Sequence, residues 1–216
     1  MVETKLEQLV QRLEAAVARQ EALAGGGASS ASANSGGGGG CPLAKQYAAA
    51  VKSQIGAVRE KTAACGNQYV TDMTTTFIQL VIMQAQVLNT MARFSKPADV
   101  QFLFAPLRAS YEAGEKVKRD RKSPINHVSV LLDAQQILQY PAFEENKALV
   151  DTITEFYDQL PFNGNKILKS DVQKDIDWYQ ALMALCQAIK EFVLENCTKV
   201  NKWTGSEDGS GAAAYF

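Results

Sequence analysis

The chain has 216 residues, with 22 Lys and Arg against 23 Asp and Glu, so its formal net charge is −1. That balance excludes an overall pull toward nucleic acid or an acidic membrane surface, and any charged partner has to be met by a local patch. No run of about 18 apolar residues exists, and the opening MVETKLEQ lacks the apolar stretch of a signal peptide, so membrane insertion is not expected and the protein is expected in the cytoplasm.

The first 24 residues read as an oligomerising helix. Leu6, Leu13 and Gln20 fall at heptad position a, Leu9, Ala16 and Leu23 at d, and Val10, Val17 and Ala24 add an apolar e column. A seam of that width buries its surface better among three or more helices than in a two-stranded coil. At roughly 33 Å the helix is too short to stand alone in water, so self-association has to fold it, and the chain itself is the first expected partner. Gln20 is polar where an apolar residue would be stronger, and it predicts a weak hub. Residues 25–40 contain only Gly, Ala, Ser and one Asn, a flexible linker with an rms span of roughly 22 Å.

Residues 41–204 read as an all-α domain, an antiparallel six-helix bundle. Tyr47, Val51, Ile55 and Val58 step by three or four; Val70, Met73, Phe77, Leu80, Val81 and Leu88 do the same, as do Leu103, Leu107 and Tyr111. Ser123-Pro124 reads as an N-cap with proline at the first helical position, opening a fourth helix that Pro141 ends. Leu149, Ile153, Phe156, Tyr157 and Leu160 mark a fifth that stops at Pro161-Phe-Asn-Gly. Ser170-Asp-Val-Gln173 has the form of a capping box for a sixth, carried by Ile176, Leu182, Leu185, Ile189, Val193 and Val200 and stopped at Trp203-Thr-Gly205. Residues 205–216 are expected to be disordered.

No constellation for catalysis is visible. His127 is the only histidine, which excludes a multi-histidine metal site, and the cysteines (Cys41, Cys65, Cys186, Cys197) are scattered without a C-x-x-C pair and read as small reduced hydrophobes. No glycine-rich phosphate loop is present, and Glu144-Glu145 read as solvated acids, so no enzyme, cofactor or metal is expected. The clearest local patch is GEKVKRDRKSPINH, residues 114–127, where Lys116, Lys118, Arg119, Arg121 and Lys122 cluster at the turn between the third and fourth helices. Two readings stand: solvated cations complementing a helix C-terminus, or a basic knuckle that docks on an acidic protein surface, with Asn126 and His127 adding neutral hydrogen bonds. A buried His127 that caps a helix is the alternative for that residue.

RLEAAVARQE, residues 12–21, resembles the RLE motif near the N-terminus of the cyclase-associated proteins, regulators of actin turnover; Arg12, Leu13, Glu14, Ala16, Val17, Arg19 and Glu21 match and Gln20 replaces the second leucine. The resemblance continues in order through Leu103-Phe-Ala-Pro-Leu107 (similar to LLAPI), Asn126-His127-Val128-Ser129 (similar to NHLSA), Phe156-Tyr157, Asp177-Trp178, Thr198 and Trp203. Two places depart from the family: its Pro/Gly-rich connection is reduced to Tyr140-Pro141-Ala142-Phe143, and its His-Thr-Thr-Gly is Cys197-Thr198-Lys199-Val200. The resemblance is to the N-terminal half of such proteins. It implies a non-enzymatic actin regulator whose helical domain engages actin or cofilin-bound actin and promotes filament disassembly, with Lys118, Arg119, Arg121, Lys122, Asn126 and His127 as candidate contacts. In fungal members the RLE region, here Arg12, Leu13, Glu14, Arg19 and Glu21, also touches adenylyl cyclase, so an oligomeric scaffold recruiting such an enzyme is the alternative.

Overall fold

A computed structural model describes residues 40–216 of the chain. The heptad positions, the RLE residues and linker residues 25–39 lie outside the described residues. The folded unit spans Pro42–Phe216. It is built from α1 (Pro42–Cys65), α2 (Gln68–Arg93), α3 (Ala105–Lys118), α4 (Ile125–Gln136), α5 (Asn146–Leu168), α6 (Gln173–Glu195) and a short α7 (Ala212–Tyr215), with 3-10 turns at Gln101–Leu103, Ile137–Ala142 and Gly209–Gly211. The all-α class read from the spacing is the class observed, with no strand among the described residues beyond one isolated parallel bridge between Phe94 and Glu207.

The apolar spacing does the packing. Tyr47, Val51, Ile55 and Val58 on α1, Phe77 and Val81 on α2, Leu149, Ile153 and Leu160 on α5, and Leu182, Leu185, Ile189 and Val193 on α6 are all buried, each worth roughly 1.5–3 kcal/mol relative to exposure. Tyr47 meets Phe192 edge to face at 5.1 Å near the start of α1, while Lys174 Nζ donates to the Cys65 carbonyl at 2.6 Å at its end, so α1 and α6 run antiparallel. The Tyr47 hydroxyl donates to the Val81 carbonyl at 3.0 Å, which ties α1 to α2 and satisfies a buried polar group. α4 packs on α5, with Asn163 donating to Asp133 at 2.8 Å.

Helix ends differ from their expected places where tertiary packing outweighs local signals. Pro161 does not end α5; buried Leu160, Gly164 and Ile167 continue the helical spacing past it to Leu168, at the cost of the one hydrogen bond that proline cannot donate. Ser123 is not a cap: Pro124 is the N-cap residue, its carbonyl accepts from the Val128 amide at 3.1 Å, and the Ser123 hydroxyl has no partner among the described residues. Nor does Ser170 form a capping box, because α6 starts from the Val172 carbonyl, which accepts from Asp175 and Ile176, while the Gln173 amide reaches forward to Asp177 at 2.6 Å. α4 gives way at Gln136 to a 3-10 turn that runs through Pro141, and α6 ends at Glu195 before a looser turn that buries Val200. Tyr111, expected inside, is exposed.

Residues 205–216 are not the disordered tail that their composition predicts. The Thr204 amide donates to Met91 O at 2.9 Å, Ser95 donates to Glu207 O at 2.8 Å, and Glu207 donates to Arg93 O at 3.1 Å, so the tail pairs with the end of α2. Arg93 adds a 2.8 Å ion pair with Glu207 and lies 4.6 Å over the Tyr215 ring, and Phe102 meets Phe216 at 5.6 Å. Gly205 makes this close approach possible, since a Cβ there would collide with the Arg93 carbonyl and the Phe94 amide. Substituting Gly205→Ala is expected to lower stability by about 1–3 kcal/mol in urea denaturation and to speed hydrogen exchange at the Ser95 and Glu207 amides. Unchanged exchange at both amides would show that the tail does not depend on this contact.

Candidate functional site

The basic cluster lies at one end of the bundle, where α3 turns into α4. Lys116 and Lys118 close α3, Arg119 is its C-cap, and Arg121 and Lys122 occupy the turn. Asp120 builds that turn. Its Oδ2 accepts from the Tyr69 hydroxyl of α2 at 2.6 Å, its Oδ1 accepts from the Lys122 amide at 2.9 Å, and its carbonyl accepts from the Ser123 amide at 3.0 Å. The Tyr69 bond, and then the Lys122 amide, hold the Asp120 carboxyl below its ordinary value, and the same bond raises the Tyr69 phenol. Five basic residues against Glu115 and Asp120 give residues 114–127 a net charge of +3.

The candidate contacts do not all face the same way. Arg119, Arg121 and Lys122 are exposed, and no ion pair to an acidic side chain engages them among the described residues. Lys118 is partly buried and lies 3.5 Å from Glu115, one turn earlier. Asn126 is half-buried in the first turn of α4. His127 points into the bundle, with its ring 4.9 Å from Trp178 and its Nε2 3.6 Å from Asp175 Oδ2, beyond hydrogen-bond length, so it neither caps a helix nor extends the basic surface. Sequence reasoning missed Tyr69, 51 residues from Asp120, and Asp175 opposite His127, because neither pairing has a local signal. It also missed Ile125, which is 54% exposed directly after the basic turn.

Burial pushes the Cys186 thiol up to about 12, and burial followed by the Asp175 charge pushes Cys65 to about 11, so both are thiols rather than nucleophilic thiolates. No cluster of His, Cys, Asp and Glu able to hold a metal occurs among the described residues, and no helix among them is long and apolar enough to cross a membrane.

Burial holds His127 below its ordinary value of 6.5, opposed in part by Asp175. The unfolded chain therefore takes up a proton first as pH falls, so the contribution of the neutral ring is complete above about pH 6.5 and is lost as pH drops from there toward the folded-state value. Because this is the only histidine, its single imidazole resonance in proton NMR reports that value directly. Titration is expected below 6.5, and lower still in Asp175→Asn, where the opposing charge is gone. A value at or above 6.5 in the parent chain would show that the Asp175 charge outweighs burial.

Comparison with known proteins adds a family and a fold. The family model described as CAP, N-terminal domain, matches residues 47–200, and that described as CAP N-terminal conserved motif matches residues 7–44. The solved N-terminal domain of the adenylyl cyclase-associated protein from Dictyostelium discoideum is similar, with a TM-score of 0.68 at 18% identity over 77% of this chain and 98% of that one. A second solved N-terminal domain of CAP, described as indicating variable oligomerisation, is similar with a TM-score of 0.67 at 18% identity over 81% of this chain and 97% of that one. No curated protein sequence matches the chain.

Proposed function

The chain belongs to the cyclase-associated protein family as an N-terminal region, and on that premise we propose that its bundle binds actin or cofilin-bound actin and promotes filament disassembly and monomer recycling in the cytoplasm. The observation that carries the reading is the braced basic turn: Arg119, Arg121 and Lys122 are exposed and no salt bridge engages them among the described residues, on a loop held in shape by Asp120 and Tyr69. Preformed cations lose little conformational freedom on docking and complement an acidic protein surface. Ile125 beside them supplies an apolar anchor of the kind that interfaces place inside a polar rim.

The mechanism is differential binding. A bundle that docks more tightly on a terminal actin subunit in its released geometry than in its filament geometry shifts that subunit toward release by the difference in affinity. Self-association through Leu6, Leu9, Val10, Leu13, Ala16, Val17 and Leu23, residues outside the described part of the chain, would gather several bundles and raise their local concentration without improving any single contact. With cofilin present, the chain is expected to accelerate depolymerisation at the pointed end. Arg119→Glu combined with Arg121→Glu is expected to weaken binding to cofilin-actin about tenfold or more while leaving the helical circular dichroism unchanged. Unaltered affinity in the double variant would return the turn to the role of solvated helix-end cations.

A second reading rests on the separate match of the conserved motif to residues 7–44, most of which lies ahead of the bundle. In it the N-terminal segment recruits adenylyl cyclase or another signalling partner, and the bundle serves the scaffold. Deleting residues 1–24 separates the two: loss of the partner with actin binding intact favours the scaffold, whereas reduced potency on filaments favours the regulator.

A further inference from the structure

Opposite the basic turn, at the far end of the α3–α4 pair, two open concavities of about 650 and 220 Å³ share Val100, Phe104 and Ala142 as common walls and so adjoin as one trough. Its apolar lining continues through Leu107 and Trp203. Among the buried side chains that line it, one amide is unpartnered at both ends. Gln135 is only 3% exposed, lines the larger concavity, and neither its Oε1 nor its Nε2 has a hydrogen-bond partner among the described residues. A buried amide with both ends unpaired is costly, and such groups are rare in folded proteins unless something fills the space beside them. Gln136 and Gln139 line the same concavity, so the wall offers amide donors and acceptors in a row.

We infer that this trough binds an extended peptide carrying an acidic side chain next to an apolar one. A glutamine amide presents one donor side and one acceptor side, which matches the N–H and C=O of a peptide unit. The shape agrees, because two joined concavities open to solvent suit a chain that continues beyond both ends, whereas a compact small molecule is better enclosed by a single cleft. Charge selects the side chain. Arg108, Lys96 and Lys202 line the trough against Glu144 alone, a balance of +2, and the exposed Arg108 is held over the rim by its 2.8 Å bond to Gln101 Oε1. There is no tight cluster of cations of the kind a phosphate requires, since Lys96 pairs with the Glu144 carboxylate and Lys202 donates to the Glu144 carbonyl.

The probe is a phage-displayed library of random dodecapeptides selected on the whole 216-residue chain, with the most enriched sequences synthesised and their affinities measured by fluorescence anisotropy. Enriched peptides are expected to carry Asp or Glu beside an apolar residue and to bind with micromolar affinity. Gln135→Leu is expected to cost about tenfold or more in that affinity while leaving the melting temperature unchanged or higher, because an unpaired buried amide has been replaced by an apolar group of similar shape. Arg108→Glu, at an exposed position that does not threaten folding, is expected to weaken acidic peptides and to spare versions with Asp or Glu made neutral. Enrichment of no sequence, or binding unaffected by either substitution, overturns the proposal. Enriched peptides that copy residues 1–39 would assign the trough to the chain itself and overturn it as well.

Discussion

Trp178 sets the geometry on which the basic turn depends. It is fully buried, its indole N–H donates to Thr74 Oγ1 of α2 at 3.3 Å, and its ring lies 4.9 Å from His127 of α4, so one side chain of α6 fixes the relative position of three helices. An aromatic residue of this size removes about 150–250 Å² from water, so sliding any one of these helices past it exposes surface or opens a void. The start of α4 is therefore fixed. The end of α3 is held independently, through Asp120, by Tyr69 near the start of α2. A loop anchored at both ends by aromatic residues outside it can carry several like charges close together, because the core rather than the loop's own electrostatics decides its shape.

The same logic says what the sequence could reveal. Periodic apolar residues identify helices because burial follows the spacing directly: Tyr47, Val51, Ile55 and Val58 are all inside. Helix boundaries are harder, since a cap or a proline is worth about 1–3 kcal/mol and continued packing can exceed it, as Leu160 and Ile167 do on either side of Pro161. Ser123 and Ser170 have the right neighbours for capping, yet the Pro124 and Val172 carbonyls start the helices instead. The basic turn was legible as a run of charge, but its brace was not, for Tyr69 and Asp120 meet only after α2 and α3 have packed. His127 illustrates the converse: its place in a polar run left open a surface contact and a buried helix cap, and Trp178 draws it inward without making it a cap.

The C-terminal residues show composition failing for a physical reason. GSEDGSGAAAYF has too little apolar surface to form a core of its own, which is what a disorder argument tests. It does not need one. α2 ends in a ready-made surface of unpaired backbone groups at Arg93 and Ser95, and the tail completes them while Ala212 is buried and Tyr215 and Phe216 cover Phe94 and Phe102. A segment that is disordered alone can thus be ordered by an edge that another element leaves open.

The basic turn and the trough stand at opposite ends of α3 and α4. α3 has 14 residues, which places the two surfaces about 20 Å apart. Gly114, in the C-terminal half of α3, lets that helix sit close against both neighbours, since a Cβ there would fall 2.8 Å from Met73 Cε and crowd the Leu132 side chain. Packing this tight leaves α3 little freedom to slide, so the spacing between the two surfaces is set by the helix rather than by a flexible connection. A partner on the basic turn and a peptide in the trough would then occupy the bundle together without steric conflict. Cooperation between them would have to come from a ligand long enough to span both, because a hairpin without slack transmits little from one end to the other.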